Sequence, residues 1–263
     1  MKKILVQVEN LHVTYKEKNI LNNISFNIYA GELLCILGQS GSGKTMTSNA
    51  LLNMLPVNVL KNNGSILYDG NIFSENIRGT FITTIMQSPS SCFDSVFTMR
   101  TQVKDILKAN NKLYNEENVI NILEKLSLKN PKEILDSYPF QLSGGMVQKV
   151  MIAVSLLLES KVIIADEPTS DLDVSSQKEI LDLILKVKKE NNAVLLITHN
   201  VSVAKYAADR VIVMNNGNIV DECSIDNLED NNRNEYTKQL ISANNILYNN
   251  SWNINIGETY VKM

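Results

Sequence analysis

Residues 32–45 read Glu-Leu-Leu-Cys-Ile-Leu-Gly-Gln-Ser-Gly-Ser-Gly-Lys-Thr, and the organisation of the chain follows from them. The segment 32–38 is apolar without alternation, the pattern of a strand buried on both faces of a parallel sheet. Gly38-Gln39-Ser40-Gly41-Ser42-Gly43-Lys44-Thr45 fits G-x-x-x-x-G-K-[ST]. A helix is expected from 45 to about 55, stopping before Pro56. Glycines in such a loop let backbone N–H groups curl around phosphate oxygens without Cβ clashes, and the following helix adds its positive dipole end. Lys44 is then expected on the β- and γ-phosphates of ATP, and the Thr45 hydroxyl on Mg²⁺.

Working outward, residues 4–28 carry strand patterning, and 65–73 read as a hairpin turning at Asp69-Gly70. From about 88 to 140 helical spacing replaces strand patterning, with Val119, Leu123 and Leu126 at i, i+4 and i+7, so a helical insertion is expected. Apolar strands at 162–166 and 193–199 then alternate with helices at 144–159, 174–190 and 201–208, and a hairpin follows at 211–222. This order implies an α/β fold with a mainly parallel sheet covered by helices. The expected domain spans 1–225, with a C-terminal extension over 226–263 that is Asn-rich and weakly patterned.

Val-Ile-Ile-Ala-Asp-Glu (162–167) is an apolar strand ending in two carboxylates, a costly placement unless they have partners. Asp166 fits a ligand to Mg²⁺ and its water, and Glu167 a group that orients or deprotonates the attacking water. His199 ends another apolar strand. Strand C-termini are where ligands sit in open α/β sheets, so His199 is expected to reach the γ-phosphate. Leu142-Ser143-Gly144-Gly145-Met146 opens a helix with Ser143 as N-cap, and its free N–H groups suit phosphate as well. Two anion-binding helix starts so far apart suggest that two chains share one nucleotide.

The 263 residues hold 44 % hydrophobic and 20 % charged residues, with net charge −3, ordinary for a globular domain and without the basic excess of a nucleic-acid binder. Cys35, Cys92 and Cys223 are widely spaced, as expected of reduced thiols rather than a disulfide framework. No stretch of about 18 apolar residues is present.

The ordered set Gly38–Thr45, 142–146, 162–168, Ser170–Asp173 and His199 resembles the ATPases of ABC transporters, over nearly the whole chain to about residue 222. The resemblance implies a P-loop NTPase fold with an antiparallel β subdomain and the inserted helical subdomain at about 88–140. It implies ATP sandwiched between the Walker A loop of one subunit and the signature loop of another, with Ser143 and Gly145 on the γ-phosphate and Gly144 beside them. By the same resemblance Gln87 is the Q-loop residue linking Mg²⁺ and the attacking water to the helical subdomain. Ser170-Asp171-Leu172-Asp173 becomes the D-loop, and Tyr15 the aromatic that stacks on adenine. Three positions depart from the pattern: Met146 for the usual Gln, Lys149 for Arg, and Asn200 where Asp is common.

Residues 86–99, 136–153 and 159–174, and Tyr236-Thr237-Lys238-Gln239-Leu240, resemble the peptide/nickel importer group, most closely its nickel-import member. The implied partners are a second, non-identical ATPase subunit, two membrane permeases and an extracytoplasmic substrate-binding protein, with this chain peripheral on the cytoplasmic face of the cell membrane. Residues around Phe93–Phe97 are expected to face the permeases. The cargo implied is nickel or a nickel or cobalt chelate, with dipeptides or oligopeptides as the alternative. With only His12 and His199, nickel is not expected to bind this chain. A non-transport ABC ATPase needs tandem domains or a long coiled coil that 263 residues do not hold, and a catalytically dead regulator predicts loss of Glu167 or His199, which are both present.

Overall fold

The computed structural model describes residues 2–72, 77–170 and 172–248. The chain opens with strands β1 (Ile4–Tyr15) and β2 (Lys18–Tyr29), then β3 (Leu33–Leu37), helix α1 (Lys44–Leu51), and strands β4 (Val59–Tyr68) and β5 (Asn71–Ile72). β1 pairs antiparallel with both β2 and β4, and β4 turns into β5 at Asp69-Gly70, giving a sheet in the order β2-β1-β4-β5. Helix α1 ends earlier than the sequence suggested. Asn53 takes a left-handed φ of 51° and the Met54 N–H bonds back to the Asn49 carbonyl, a helix stop that precedes Pro56.

The second half supplies β6 (Ile82–Ile85), α2 (Met99–Ala109), α3 (Glu116–Lys125), α4 (Pro131–Asp136), α5 (Gly144–Leu158) and β7 (Val162–Asp166). It continues through α6 (Val174–Val187), β8 (Ala193–Thr198), α7 (Val201–Ala207), β9 (Arg210–Asn215), β10 (Asn218–Ser224) and α8 (Glu235–Tyr248). These strands and β3 form a six-stranded sheet in the order β10-β9-β3-β8-β7-β6, parallel except for β10. β6 is an edge strand of four residues that the sequence does not announce, because Thr83 and Thr84 interrupt its apolar pattern.

Both faces of this sheet are covered. Leu33, Cys35 and Leu37 of β3 and Val194 and Leu196 of β8 pack with α2–α8. Leu34, Ile36, Leu195 and Ile197 point the other way, onto α1 and the antiparallel sheet. That is why β3 and β8 read as unbroken apolar runs: each alternate residue fills a different core, and each fully buried Leu or Ile contributes about 1.5–3 kcal/mol. The apolar faces of α2 and α3 pack on α5, and both helices also contact α4. In this block Phe93 is buried in the core, so within the stretch around Phe93–Phe97 expected to face the permeases, Val96 and Phe97 are presented and Phe93 is not.

The weakly patterned stretch past 225 folds into α8, whose Leu240 and Ile241 enter the same core as α7 and β9. Its apolar residues are spaced for a helix, but Asn244 and Asn245 dilute the pattern. Residues 249–263 lie outside the described residues.

Candidate active site

Parallel pairing in register brings four strand ends level. Leu37 of β3 lies opposite Thr198 of β8, Asp166 of β7 opposite Ile197, and Ile85 of β6 opposite Ala165. The residues just beyond these ends are Gly38, His199, Glu167 and Gln87. Their backbone register alone therefore gathers four of the sequence motifs at one edge, where open α/β sheets bind ligands.

The loop between β3 and α1 is held by its own backbone. A Cβ on Gly38 would stand 2.4 Å from the Met214 carbonyl oxygen, and Gly43 has φ 110° with a Cβ position 2.8 Å from Leu21. Both positions therefore require glycine. The Lys44 ammonium donates to the carbonyls of Gly38 at 2.8 Å and Gln39 at 2.9 Å, clasping the start of the loop. Burial pushes the Lys44 pKa down, opposed by the nearby charges of Glu167 and Asp166.

A cavity of about 720 Å³ opens over this loop, lined by Gln39–Gly41, Gly43–Met46, Gln87, Glu167, Ser170 and His199, with Ile20 on one side and Leu240, Ala243 and Asn244 of α8 on another. Glu167 stands in a left-handed backbone conformation, φ 46°, costly for a residue with a Cβ. It is held there by its N–H to the Ile197 carbonyl at 2.9 Å and by the Ser170 hydroxyl, which donates to its carbonyl at 3.0 Å and its carboxylate at 3.1 Å. The other carboxylate oxygen lies 2.8 Å from His199 Nδ1. This hydrogen bond raises the His199 pKa, against a smaller opposing effect of burial.

Asp166 lies deeper. Its Oδ1 is buried and has no hydrogen-bond partner among the described residues. Burial raises its pKa, as does the charge of Glu167, while Lys44 and the Thr45 and Ser48 side chains pull it down. An unpartnered carboxylate oxygen beside a hydroxyl is a hard-oxygen site of the kind Mg²⁺ takes. Among the described residues no three His, Cys, Asp or Glu side chains converge, so further ligands would come from substrate and water.

Ser143, Gly144 and Gly145 are not among the described residues lining the cavity. Ser143 caps α5 by accepting the Met146 N–H at 3.3 Å. Among the described residues a Cβ at Gly144 or Gly145 would meet nothing within 4 Å, so none of them demands glycine there. The start of α5 is instead fixed to the Glu167 loop: buried Gln148 donates to the Pro168 carbonyl, a link the sequence did not announce. Tyr15 is not brought to the cavity wall either. It sits at the β1–β2 turn, 38 % exposed, with the Lys16 ammonium 5.3 Å from its ring centre. Asp171 lies outside the described residues, while its neighbour Ser170 anchors Glu167 and Asp173 caps α6.

The three departures are accommodated. Asn200 caps α7 by accepting from the Ser202 and Val203 N–H groups, as an aspartate would. Lys149 pairs with Glu179 at 2.6 Å, and Met146 packs partly buried against the core.

Residues 21–170 match the family model described as ABC transporter. The chain is 35 % identical over 237 residues to the nickel import ATP-binding protein NikD of Brucella abortus biovar 1 (strain 9-941), covering 89 % of this chain and 90 % of that one. It is 35 % identical over 252 residues to the metal-staphylopine import system ATP-binding protein CntD of Staphylococcus aureus (strain NCTC 8325 / PS 47), covering 91 % and 93 %. The dimeric post-hydrolysis structure of the ATP-binding cassette MJ0796 bound to ADP and Pi is similar, with TM-score 0.72 and 26 % identity over 84 % of this chain and 99 % of that one. With its phosphate loop, carboxylate pair and histidine gathered at one sheet edge, and relatives spanning nearly its whole length, the chain belongs to the ABC transporter family and is one of its ATP-hydrolysing subunits.

Proposed function

We propose that this chain binds Mg-ATP in the cavity over Gly38–Thr45 and hydrolyses it to drive a metal importer. The observation that carries the reading is the meeting of Lys44, Thr45, Gln87, Glu167 and His199 around one cavity above the orphaned Asp166 oxygen.

In this mechanism the loop N–H groups and Lys44 hold the β- and γ-phosphates. The Lys44 ammonium has three N–H donors, so with two on the Gly38 and Gln39 carbonyls a third is left for a phosphate oxygen. Thr45, Asp166 and Gln87 would hold Mg²⁺, which supplies neutralisation of charge on the β- and γ-oxygens. Glu167 orients the attacking water and accepts its proton through a carboxylate oxygen. His199, bonded to the other oxygen, fixes that carboxylate and directs its second ring nitrogen to the γ-phosphate. The Ser143–Gly145 helix start completes the site from a second subunit. Open space over both glycines supports that reading, since a close-approaching phosphate would occupy it. Tyr15 offers its open ring face to adenine.

The cargo reading, nickel or a metal chelate, rests on similarity to importers named for those cargoes. The partners are a second ATPase, two permeases and an extracytoplasmic binding protein, with this chain on the cytoplasmic side of the membrane. No helix among the described residues is long and apolar enough to cross a membrane, so attachment runs through the permeases. Exposed Val96, Phe97 and Phe140 on the helical block offer the contact.

The test is ATP turnover and nickel uptake in cells carrying the full transporter. Glu167→Gln should abolish uptake and lower turnover by about 10²–10⁴-fold, the scale of a positioned base. Full turnover in that variant removes the assignment of Glu167. Intact turnover with no metal uptake keeps the ATPase and removes the cargo.

A further inference from the structure

Helix α8 forms part of the cavity wall, and the nucleotide-binding motifs give it no role there. Tyr236, Leu240, Ala243 and Asn244 recur at i, i+4, i+7 and i+8, so they share one face of the helix. Leu240, Ala243 and Asn244 line the nucleotide cavity. The two polar members each end on a different loop of the site. The Tyr236 hydroxyl accepts the backbone N–H of Gln39, the second residue of the phosphate loop, at 3.1 Å. Asn244, 7 % exposed, accepts the Val201 N–H at 3.0 Å and donates to the Ser202 hydroxyl at 3.1 Å. Val201 opens α7 two residues after His199.

The helix is anchored without these two contacts. Thr237 is fully buried and donates to Asp221 of β10, the same carboxylate oxygen that accepts the Asn234 N–H at 2.8 Å. Leu240 and Ile241 are buried in the core. A helix fixed this way at its start and along its length is a rigid bar. The Gln39 N–H and the Val201 N–H are held at points eight residues apart on it, about 12 Å along its axis.

We propose that α8 is a clip that sets the spacing between the phosphate loop and the His199 loop, with Tyr236 and Asn244 as positioning residues for ATP hydrolysis. Tyr236 holds the first half of the phosphate loop in the shape that ATP needs. Asn244 holds the first turn of α7, and through it the direction of His199 toward Glu167. The two residues therefore act on different steps: Tyr236 on binding, Asn244 on chemistry. The proposal rests on the ATP site described above.

Two conservative variants of the full-length chain test it, with ATP affinity measured on the purified protein and steady-state hydrolysis on the assembled transporter. Tyr236→Phe keeps the ring and removes the hydroxyl. It should weaken ATP binding by about 2- to 12-fold, the worth of one hydrogen bond, while kcat and Tm stay close to wild type. Asn244→Ala should lower kcat and leave the KM for ATP unchanged, and Asn244→Asp, which keeps the accepting oxygen at a helix start, should restore kcat. A merely structural role predicts losses that follow the folded fraction in both variants with no KM-against-kcat split. That result, or unchanged ATP affinity in Tyr236→Phe together with unchanged kcat in Asn244→Ala, overturns the clip. A wild-type transporter that does not hydrolyse ATP would instead overturn the ATP reading on which the clip stands.

Discussion

At the scale of the residue, Glu167 and His199 form a pair whose charge state is testable. Their hydrogen bond raises the His199 pKa above its ordinary value near 6.5. A raised folded-state pKa means the pair stabilises the fold fully below the unfolded value, and that this contribution fades as pH rises through the folded value. With two histidines in the chain, His12 and His199, imidazole NMR separates them readily. His199 should titrate above pH 6.5 in the wild type and move down in Glu167→Gln; an unchanged His199 midpoint in that variant would remove the pairing. Lys44→Ala should abolish ATP binding, because the triphosphate loses its main cation and the loop loses the clasp on Gly38 and Gln39. Equilibrium binding of a fluorescent ATP analogue reads this, and micromolar affinity retained in the variant would contradict it. The phosphate loop, Asp166, Glu167 and His199 were legible in the residues themselves, as a glycine-rich turn after an apolar strand and as carboxylates and a histidine at the ends of apolar strands, whereas Gln87 and Tyr15 were named only through the family resemblance. The Gln148 link to Pro168 and the Ser170 bonds to Glu167 were not, since an isolated polar residue in a helix or loop gives no hint of which carbonyl it will meet.

At the scale of the element, the start of α5 is the place where stability and activity should part. Glycine in a helix costs about 0.5–1 kcal/mol relative to alanine, and no atom of the described residues opposes a Cβ at Gly145. Gly145→Ala should therefore raise the stability of the isolated chain by up to about that amount while lowering ATP turnover, since the methyl fills the space a phosphate would use. Thermal unfolding with parallel ATPase assays reads both, and a variant that loses stability would contradict the account. The buried strands β3, β7 and β8 were readable as apolar runs, and α3 from the spacing of Val119, Leu123 and Leu126. β6 and α8 were not. An edge strand of four residues holds too few positions to show a period, and α8 buries only one stripe while its asparagines face the cavity and solvent. The ends of α1 and α6 were also overextended, because left-handed Asn53 and the Asn192 side chain, which donates to the Val187 carbonyl, stop these helices by local bonding rather than by composition.

At the scale of the whole molecule, the proposed sharing of one nucleotide between two subunits would tie ATP to assembly. The cavity holds the phosphate loop, Glu167 and His199, while Ser143–Gly145 stand outside its described lining. Each phosphate contact added across the seam is charge-assisted and stronger than a neutral hydrogen bond. Without ATP, a chain of net charge −3 meets a similar surface with little to hold it. Cross-linking from Phe97 in the assembled transporter should reach a permease, and adducts found only on the second ATPase would move the docking face elsewhere. The central claim, a nucleotide shared by two subunits, is tested most directly by light scattering of the Glu167→Gln chain with its partner ATPase, with and without Mg-ATP. The shared site predicts separate subunits without nucleotide, a dimer with Mg-ATP, and no dimer when Ser143→Arg is added. A dimer that forms regardless of nucleotide, or one that tolerates Ser143→Arg, would contradict it.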